Sequence, residues 1–408
     1  MAYMALYRKY RPQTFTDVVG QHQVSDTLMR AIREDKVAHA YLFAGPRGTG
    51  KTSMAKIFAR AINCEQGPTD HPCNECSVCK SILSGQSMDV LEIDAASNRG
   101  IDEIRALRES VKFMPVEGRK KVFIIDEAHM VTREGFNALL KIVEEPPEHI
   151  KFIFATTEPN KVLGTIRSRT HHYPFRLVPP EVLLPYLEKL CSEENVPVES
   201  GVLQLVIRAG GGSVRDSLSI LDQLIAGANT ESGISYDRAV ALLGYTHAQL
   251  LDNVIDAFSA QDAPSLFEAV SRVVATGQDP RRFVEDLLER LRDLIVVQAV
   301  PQNAAQILQG VPADQIERLK AQAQAFATAQ LTGAASTVNE VLNSMTGATN
   351  PQLQLELLCA RLLVPAGNSG GAGCARTSSC RRWCGCASTR GTLGKSRSES
   401  EYAFRRAE

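Results

Sequence analysis

A chain of 408 residues is too long for one ordinary hydrophobic core, so two or three domains are expected. With 44% hydrophobic residues, 22% charged residues and a formal net charge of −1, it has the make-up of a globular protein without global attraction for nucleic acid. Any DNA contact has to come from a local patch. Met1 to Arg8 lacks the apolar core of a secretory signal, and no apolar run approaches bilayer-spanning length. Both features point to the cytoplasm, where the ten cysteines read as metal ligands or buried thiols and not as a disulfide framework.

Residues 6 to 20 carry the basic run Arg8-Lys9-Tyr10-Arg11-Pro12, then Phe15 and Asp17-Val18-Val19-Gly20. Their aromatic and β-branched side chains suit either the wall of an adenine pocket or an arm packed on its domain. Val24, Leu28 and Ile32 recur at a four-residue step and predict an amphipathic helix over 21–35. The apolar run Tyr41-Leu42-Phe43-Ala44 then gives way to Gly45-Pro46-Arg47-Gly48-Thr49-Gly50-Lys51-Thr52, with a helix expected from near Lys51. This fits G-x-x-x-x-G-K-[ST] in the strand-then-helix context the pattern requires. Glycines at 45, 48 and 50 let successive N–H groups turn inward to cradle phosphate oxygens, with the helix N-terminus behind them. Lys51 is expected to reach the β- and γ-phosphates, and Thr52 to place its hydroxyl on Mg²⁺.

Met54, Ile57, Phe58 and Ala61 continue that helix to Ile62. An insertion follows in which Cys64, Cys73, Cys76 and Cys79 are spaced C-x8-C-x2-C-x2-C. Four thiolates with two C-x2-C steps satisfy tetrahedral Zn²⁺ at structural-site spacing; a redox switch is the rival reading. His71 lies inside the loop but is not needed to complete the shell.

Leu91 to Ala96 reads as the next strand, and Ile101, Ile104, Leu107 and Val111 give 100–113 helical spacing. Val122-Phe123-Ile124-Ile125 is an uninterrupted apolar run ending in Asp126-Glu127-Ala128-His129. Such a run suits a parallel strand buried on both faces, and carboxylates at its C-terminal end sit where open α/β sheets bind ligands. Asp126 is expected to hold Mg²⁺ through water and Glu127 to polarise the attacking water. Phe152 to Thr157 is another strand with a polar end, and Thr157 could hydrogen-bond the γ-phosphate or that water. Arg167 and Arg169 follow with no carboxylate nearby in sequence.

Val178-Pro179-Pro180 marks a boundary, after which Val182, Leu183, Tyr186, Leu187 and Leu190 begin a helical pattern running to 242. Ser213 is a plausible N-cap with Asp216 three residues on. Arg215 then falls in the first helical turn, where the dipole does not favour a cation; either it points at an anion or it is an ordinary exposed arginine. Residues 244 to 365 read as all helix, broken at Ala263-Pro264, Gly277 to Pro280, Val300-Pro301 and Val311-Pro312. Phe283, Leu287, Leu288, Leu291, Leu294 and Ile295 form a broad apolar stripe suited to a separate bundle and to subunit association. From Gly367 the sequence turns rich in Gly, Ser and Arg, with eight Lys and Arg against three Glu. Cys374, Cys380, Cys384 and Cys386 there lack paired C-x2-C spacing, so 366–408 reads as a disordered basic tail, either a linker remnant or a shifted reading frame.

Taken together, these residues resemble the gamma/tau subunits of bacterial DNA polymerase III clamp loaders, which are AAA+ ATPases. The similarity covers roughly 5–365. It rests on Arg8 to Pro12, Gly45 to Thr52, the four-cysteine insertion and Asp126 to His129. It continues through Phe136 to Lys141, Glu144-Glu145-Pro146-Pro147, Ala155-Thr156-Thr157 and Ser168-Arg169. The resemblance implies an α/β AAA+ P-loop NTPase domain over 1–178, a parallel sheet with flanking helices and a zinc-binding insertion at 64–79. It also implies a small helical lid domain over 179–243 and an all-α collar over 244–365.

By the same resemblance Thr157 is sensor 1, Arg169 the finger acting on a neighbour's ATP, and Arg215 sensor 2. The implied partners are delta and delta-prime subunits, further copies of this chain, the sliding clamp (beta) and primer–template DNA. Chi- and psi-type subunits would add contacts with single-strand-binding protein. ATP binding would open the clamp, and hydrolysis would release it on DNA at the replisome in the nucleoid. The implied enzyme is an ATPase within the DNA-directed DNA polymerase III holoenzyme, with no polymerase site of its own. Thr170 departs from relatives that have cysteine after Ser-Arg. Nothing after 367 resembles the polymerase- and helicase-binding domains of the long form, which implies a short, gamma-like form. Two other readings suit a phosphate loop. One is a non-hydrolysing scaffold subunit, against which the intact loop and Glu127 speak. The other is another AAA+ motor such as a branch-migration helicase, which the zinc insertion disfavours.

Overall fold

The computed structural model describes residues 4–97, 107–227, 233–246, 248–275, 277–308, 311, 313–345 and 350–363. The tail expected at 366–408 and most of the helix expected at 100–113 lie outside the described residues; of that helix, 107–110 are helical.

Uninterrupted apolar runs become the interior strands of a parallel sheet, because only there are both faces shielded from water. Strands β1 (Ala40–Ala44), β2 (Val90–Asp94), β3 (Lys121–Asp126), β4 (Ile150–Thr156) and β5 (His171–Pro174) lie in the order β2-β3-β4-β1-β5. All four pairings are parallel, with Ala44 opposite Thr156 and Asp94 opposite Asp126. β1 and β4 are neighbours, and the chain leaves β1 toward one edge of the sheet and β4 toward the other. That is the switch point at which open α/β sheets bind ligands beyond their strand C-termini.

Alternate side chains supply two cores. Tyr41, Phe43, Val122, Ile124 and Ile153 pack with α2 (His22–Arg33), α3 (Lys51–Asn63) and α4 (Ser77–Ser84). Leu42, Phe123, Ile125, Phe152 and Phe154 pack on the opposite face with Phe136, Leu139 and Val143 of α5 (Arg133–Glu144) and Ile166 of α6 (Gly164–Arg167).

A third core, built on Leu183, Leu187, Leu190, Val206, Leu218, Leu221 and Val240, joins α7 (Pro180–Glu193), α8 (Val202–Gly210), α9 (Val214–Gly227) and α10 (Tyr236–Leu243). Val182, expected on this stripe, is 40% exposed, because the buried line of α7 runs through 183, 187 and 190 and leaves 182 on its flank. The N-terminal segment α1 (Leu6–Lys9) packs here too. The Leu6 N–H donates to Asp222, while Lys9 Nζ and the Tyr10 hydroxyl both donate to Glu194 at 2.6 Å. Further along, Phe15 and Val18 enter the sheet's core, so this stretch ties helices 180–243 to the sheet.

The fourth core holds helices from Ala248–Ser259 to Pro351–Leu363, centred on Pro280–Ala299, whose Phe283, Leu287, Leu291 and Leu294 are buried. Leu288 and Ile295 flank that line, half-buried. The same helix also buries two charges the apolar stripe did not reveal, Asp286 and Arg290, each paired: Asp286 with Arg208, Arg290 with Asp252. No helix among the described residues is long and apolar enough to cross a membrane.

Candidate functional site

The loop between β1 and α3 closes on its own backbone. The Gly45 N–H donates to the Thr156 carbonyl at 3.1 Å, which fixes the loop's first residue to β4. A Cβ at Gly45 would lie 2.3 Å from the Phe175 carbonyl oxygen, so the segment leaving β5 leaves room for glycine alone. Gly48 has φ +73°, and a Cβ there would come within 1.9 Å of Ser213 Oγ. The Arg215 N–H donates to the Gly48 carbonyl at 3.3 Å. The start of α9 therefore rests directly on the loop, an approach that only a residue without a side chain permits. Pro46 and Arg47 are exposed on the loop's outer bend, and the Thr49 hydroxyl donates to the Pro46 carbonyl.

Lys51 is 6% exposed and its ammonium donates to the carbonyls of Gly45 (2.8 Å) and Pro46 (2.7 Å). Burial pushes its pKa down, opposed by the carboxylates of Glu127 and Asp126. A cation held in a partly dry site by carbonyl dipoles is poised for an anion. Beside it the Thr52 hydroxyl donates to Asp126 Oδ2 at 2.6 Å, joining the helix start to the end of β3.

Glu127 follows Asp126 in a left-handed conformation, φ +47°. Its Oε2 accepts from the Thr157 hydroxyl at 3.3 Å and lies 3.4 Å from His129 Nδ1. Lys51, Thr52, Asp126, Glu127 and Thr157 thus come together at the C-terminal ends of β1, β3 and β4. Arg215 is exposed, with its guanidinium over the Tyr7 ring at 5.5 Å from the centroid. Arg169 stands apart from this group. Its guanidinium pairs with Glu144 at 2.8 Å and donates to the Thr165 carbonyl, with both partners of the ion pair about two-fifths exposed.

Three neighbours escaped the sequence reading. His129 was part of the acidic block but had no role; Glu144 and Tyr7 reach their arginines only through the fold. The one available signal was for His129, a polar residue set just after an apolar strand's carboxylates.

The Sγ atoms of Cys64, Cys73, Cys76 and Cys79 lie within 4.8 Å of one another, and all four thiols are free of disulfides. Tetrahedral coordination at metal–sulfur distances of about 2.3 Å sets sulfurs about 3.8 Å apart, so the donor set fits such an ion. The N–H groups of Cys76 and Cys79 point at the sulfurs of Cys73 and Cys76 at 3.4 Å each. The N–H groups of Cys76 and Glu75 draw the Cys73 thiol down to about 7, while burial pushes the Cys79 thiol up. Cys76 also caps α4, so the cluster and the helix start are built from the same residues.

Three family models match successive stretches of the chain. These are DNA polymerase III, delta subunit, over 20–179; the DNA polymerase III clamp loader subunit ATPase lid domain over 184–230; and DNA polymerase III subunits gamma and tau domain III over 234–368. The DNA polymerase III subunit gamma/tau of Mycobacterium tuberculosis is 55% identical over 365 residues, 89% of this chain and 63% of the relative. The chain therefore spans under two-thirds of that relative's length. The DNA polymerase III subunit gamma of Buchnera aphidicola is 33% identical over 301 residues, 74% of this chain and 83% of the relative. Among solved structures, the RuvB Holliday junction branch migration motor of Thermotoga maritima superposes with a TM-score of 0.44 at 17% identity, covering 61% of this chain and 78% of that one.

Proposed function

The chain belongs to the family of DNA polymerase III gamma and tau subunits, and from that premise we propose that it is an ATP-hydrolysing motor subunit of a replicative clamp loader. The observation that carries this reading is the convergence of Lys51, Thr52, Asp126, Glu127 and Thr157 at one end of the sheet. In this reading the N–H groups of Arg47 to Gly50 in the loop and those at the start of α3 bind the phosphates of ATP, the Gly45 N–H staying on the Thr156 carbonyl, and Lys51 exchanges its carbonyl partners for phosphate oxygens. Thr52 and Asp126 would hold Mg²⁺, which when bound neutralises charge on the β- and γ-phosphates. Glu127 polarises the attacking water, and Thr157 fixes Glu127 and the water relative to β4. Arg169 acts on the ATP of the neighbouring copy, and Arg215, whose own backbone touches the phosphate loop, reports closure of helices 180–243 over the nucleotide.

The division into 1–178, 179–243 and 244–365 is our reading of the separate cores around the sheet, the lid helices and the collar helices. The partners we assign are delta and delta-prime subunits, further copies of this chain, a sliding clamp and primer–template DNA, in the cytoplasm at the replisome. ATP binding would drive clamp opening and DNA gripping; hydrolysis would release the clamp.

Steady-state ATP turnover by the complex of this chain with delta and delta-prime tests the reading. We expect strong stimulation by clamp and primed DNA together; turnover no faster than that of the isolated chain would contradict it.

We assign the four-cysteine cluster to structural Zn²⁺, because four protein ligands leave no open position for water. Metal analysis of the purified chain should give one zinc per chain, and Cys76→Ser should lose it while leaving α4 capped, because a serine hydroxyl oxygen can accept the N–H that the Cys76 sulfur accepts. Because metal binding and local folding are coupled, chelation should lower Tm. Metal-free protein of unchanged Tm would remove the assignment.

A further inference from the structure

His129 has no part in the scheme above, yet its side chain is only 9% exposed and sits among groups that scheme uses. Its Nδ1 lies 3.0 Å from the Thr156 hydroxyl and 3.4 Å from Glu127 Oε2. Nε2 faces Glu158 Oε1 at 3.7 Å, beyond hydrogen-bond length, and Glu158 is already engaged by Lys161 at 2.8 Å. Thr156 is fully buried and its hydroxyl oxygen accepts the Glu158 N–H at 3.0 Å, so that hydroxyl is a fixed point. Glu127, by contrast, sits at φ +47°, between the end of β3 and a single 3-10 turn at Ala128–Met130. Neither strand nor helix register sets where its carboxylate points, and a left-handed backbone at a non-glycine residue persists only when its surroundings enforce it. Among the described residues, Thr157 and His129 are the two side chains within 3.5 Å of the carboxylate.

We propose that His129 is a positioning residue for Glu127. Thr156 anchors the imidazole through Nδ1, and the same edge of the ring confines the Glu127 carboxylate beside Thr157 at the end of β4. The carboxylate that polarises water then holds one orientation relative to the strand that meets the γ-phosphate. The inference rests on the ATPase reading, and it assigns the effect to the Nδ1 edge and not to the Nε2 edge or to the bulk of the ring.

The test is ATP turnover by the assembled complex with clamp and primed DNA, for the wild type, His129→Ala, His129→Asn and His129→Gln. A displaced catalytic group costs about 10- to 100-fold in rate, so His129→Ala should lower kcat by that factor while KM for ATP changes by less than about twofold. Asparagine carries its amide where Nδ1 lies and should recover most of the loss; glutamine carries it where Nε2 lies and should not. A space-filling role predicts that the two behave alike. Unchanged kcat in His129→Ala, or asparagine no better than glutamine, overturns the proposal. The asparagine–glutamine contrast still decides if the alanine variant loses Tm. A wild-type complex without turnover would instead sink the ATPase reading; turnover in the wild type with an indifferent His129→Ala sinks only the positioning role.

Discussion

Lys51→Ala should abolish nucleotide-driven clamp loading and lower ATP turnover by about 10²–10³-fold, the usual loss when one charge-stabilising donor is removed from a reacting phosphate or oxyanion. The fold should survive. Without nucleotide the ammonium is nearly buried among carbonyls, and burial pushes its pKa down, so its charge costs stability at neutral pH. Removing it should leave Tm unchanged or slightly raised. What should vanish is the stabilisation by ligand: ATP that binds only the native state raises Tm in proportion to RT ln(1 + [L]/Kd), and the variant should show little of that rise. Thermal denaturation with and without Mg-ATP, run beside the turnover assay, separates the two effects. A variant that keeps its ATP-induced rise in Tm and its turnover would show that Lys51 does not meet the phosphates.

Arg169→Ala should act only in the assembled complex. An arginine that stabilises charge on a neighbour's γ-phosphate contributes about 10³–10⁵-fold to turnover. The isolated chain should therefore bind ATP and turn it over as the wild type does, while the complex loses at least about a thousandfold of its stimulated rate. The local geometry makes this a clean substitution. Arg169 is held by Glu144 in a pair that is exposed on both sides, and such pairs contribute about 0–1 kcal/mol. Docking of a second subunit can therefore release the guanidinium at little cost, and its loss should hardly change Tm. Turnover by the complex that is indifferent to Arg169→Ala would refute action across the interface.

Much of the site was legible because its determinants are local. The Gly45–Thr52 spacing needs only a strand before it and a helix after it, and both are apolar runs of the expected period. Asp126 and Glu127 follow an uninterrupted apolar run of the kind that suits an interior parallel strand. Two strands further along the chain show the limit. β4 declares itself by Phe152, Ile153 and Phe154, whereas β5, His171-His172-Tyr173-Pro174, is polar and largely exposed and is a strand only because β1 offers it an edge. The same limit holds for contacts made across the fold. Glu144 meets Arg169 because α5 and α6 share one face of the sheet, and Tyr7 meets Arg215 because the N-terminal arm packs on the helices of 180–243. Gly48 is a glycine for the phosphate loop and equally for Ser213, and sequence discloses only the first reason. Asp286 and Arg290 broke the apolar stripe of their helix invisibly, since each is buried by a partner from another element.

In the proposed motor, ATP held by one copy and acted on by the next is coupled to moving a clamp. The most direct measurement is loading of labelled clamp onto primed circular DNA by the complex of this chain with delta and delta-prime, with ATP and with no nucleotide. Clamps should be retained on DNA only when ATP is supplied; equal loading without nucleotide would refute this coupling.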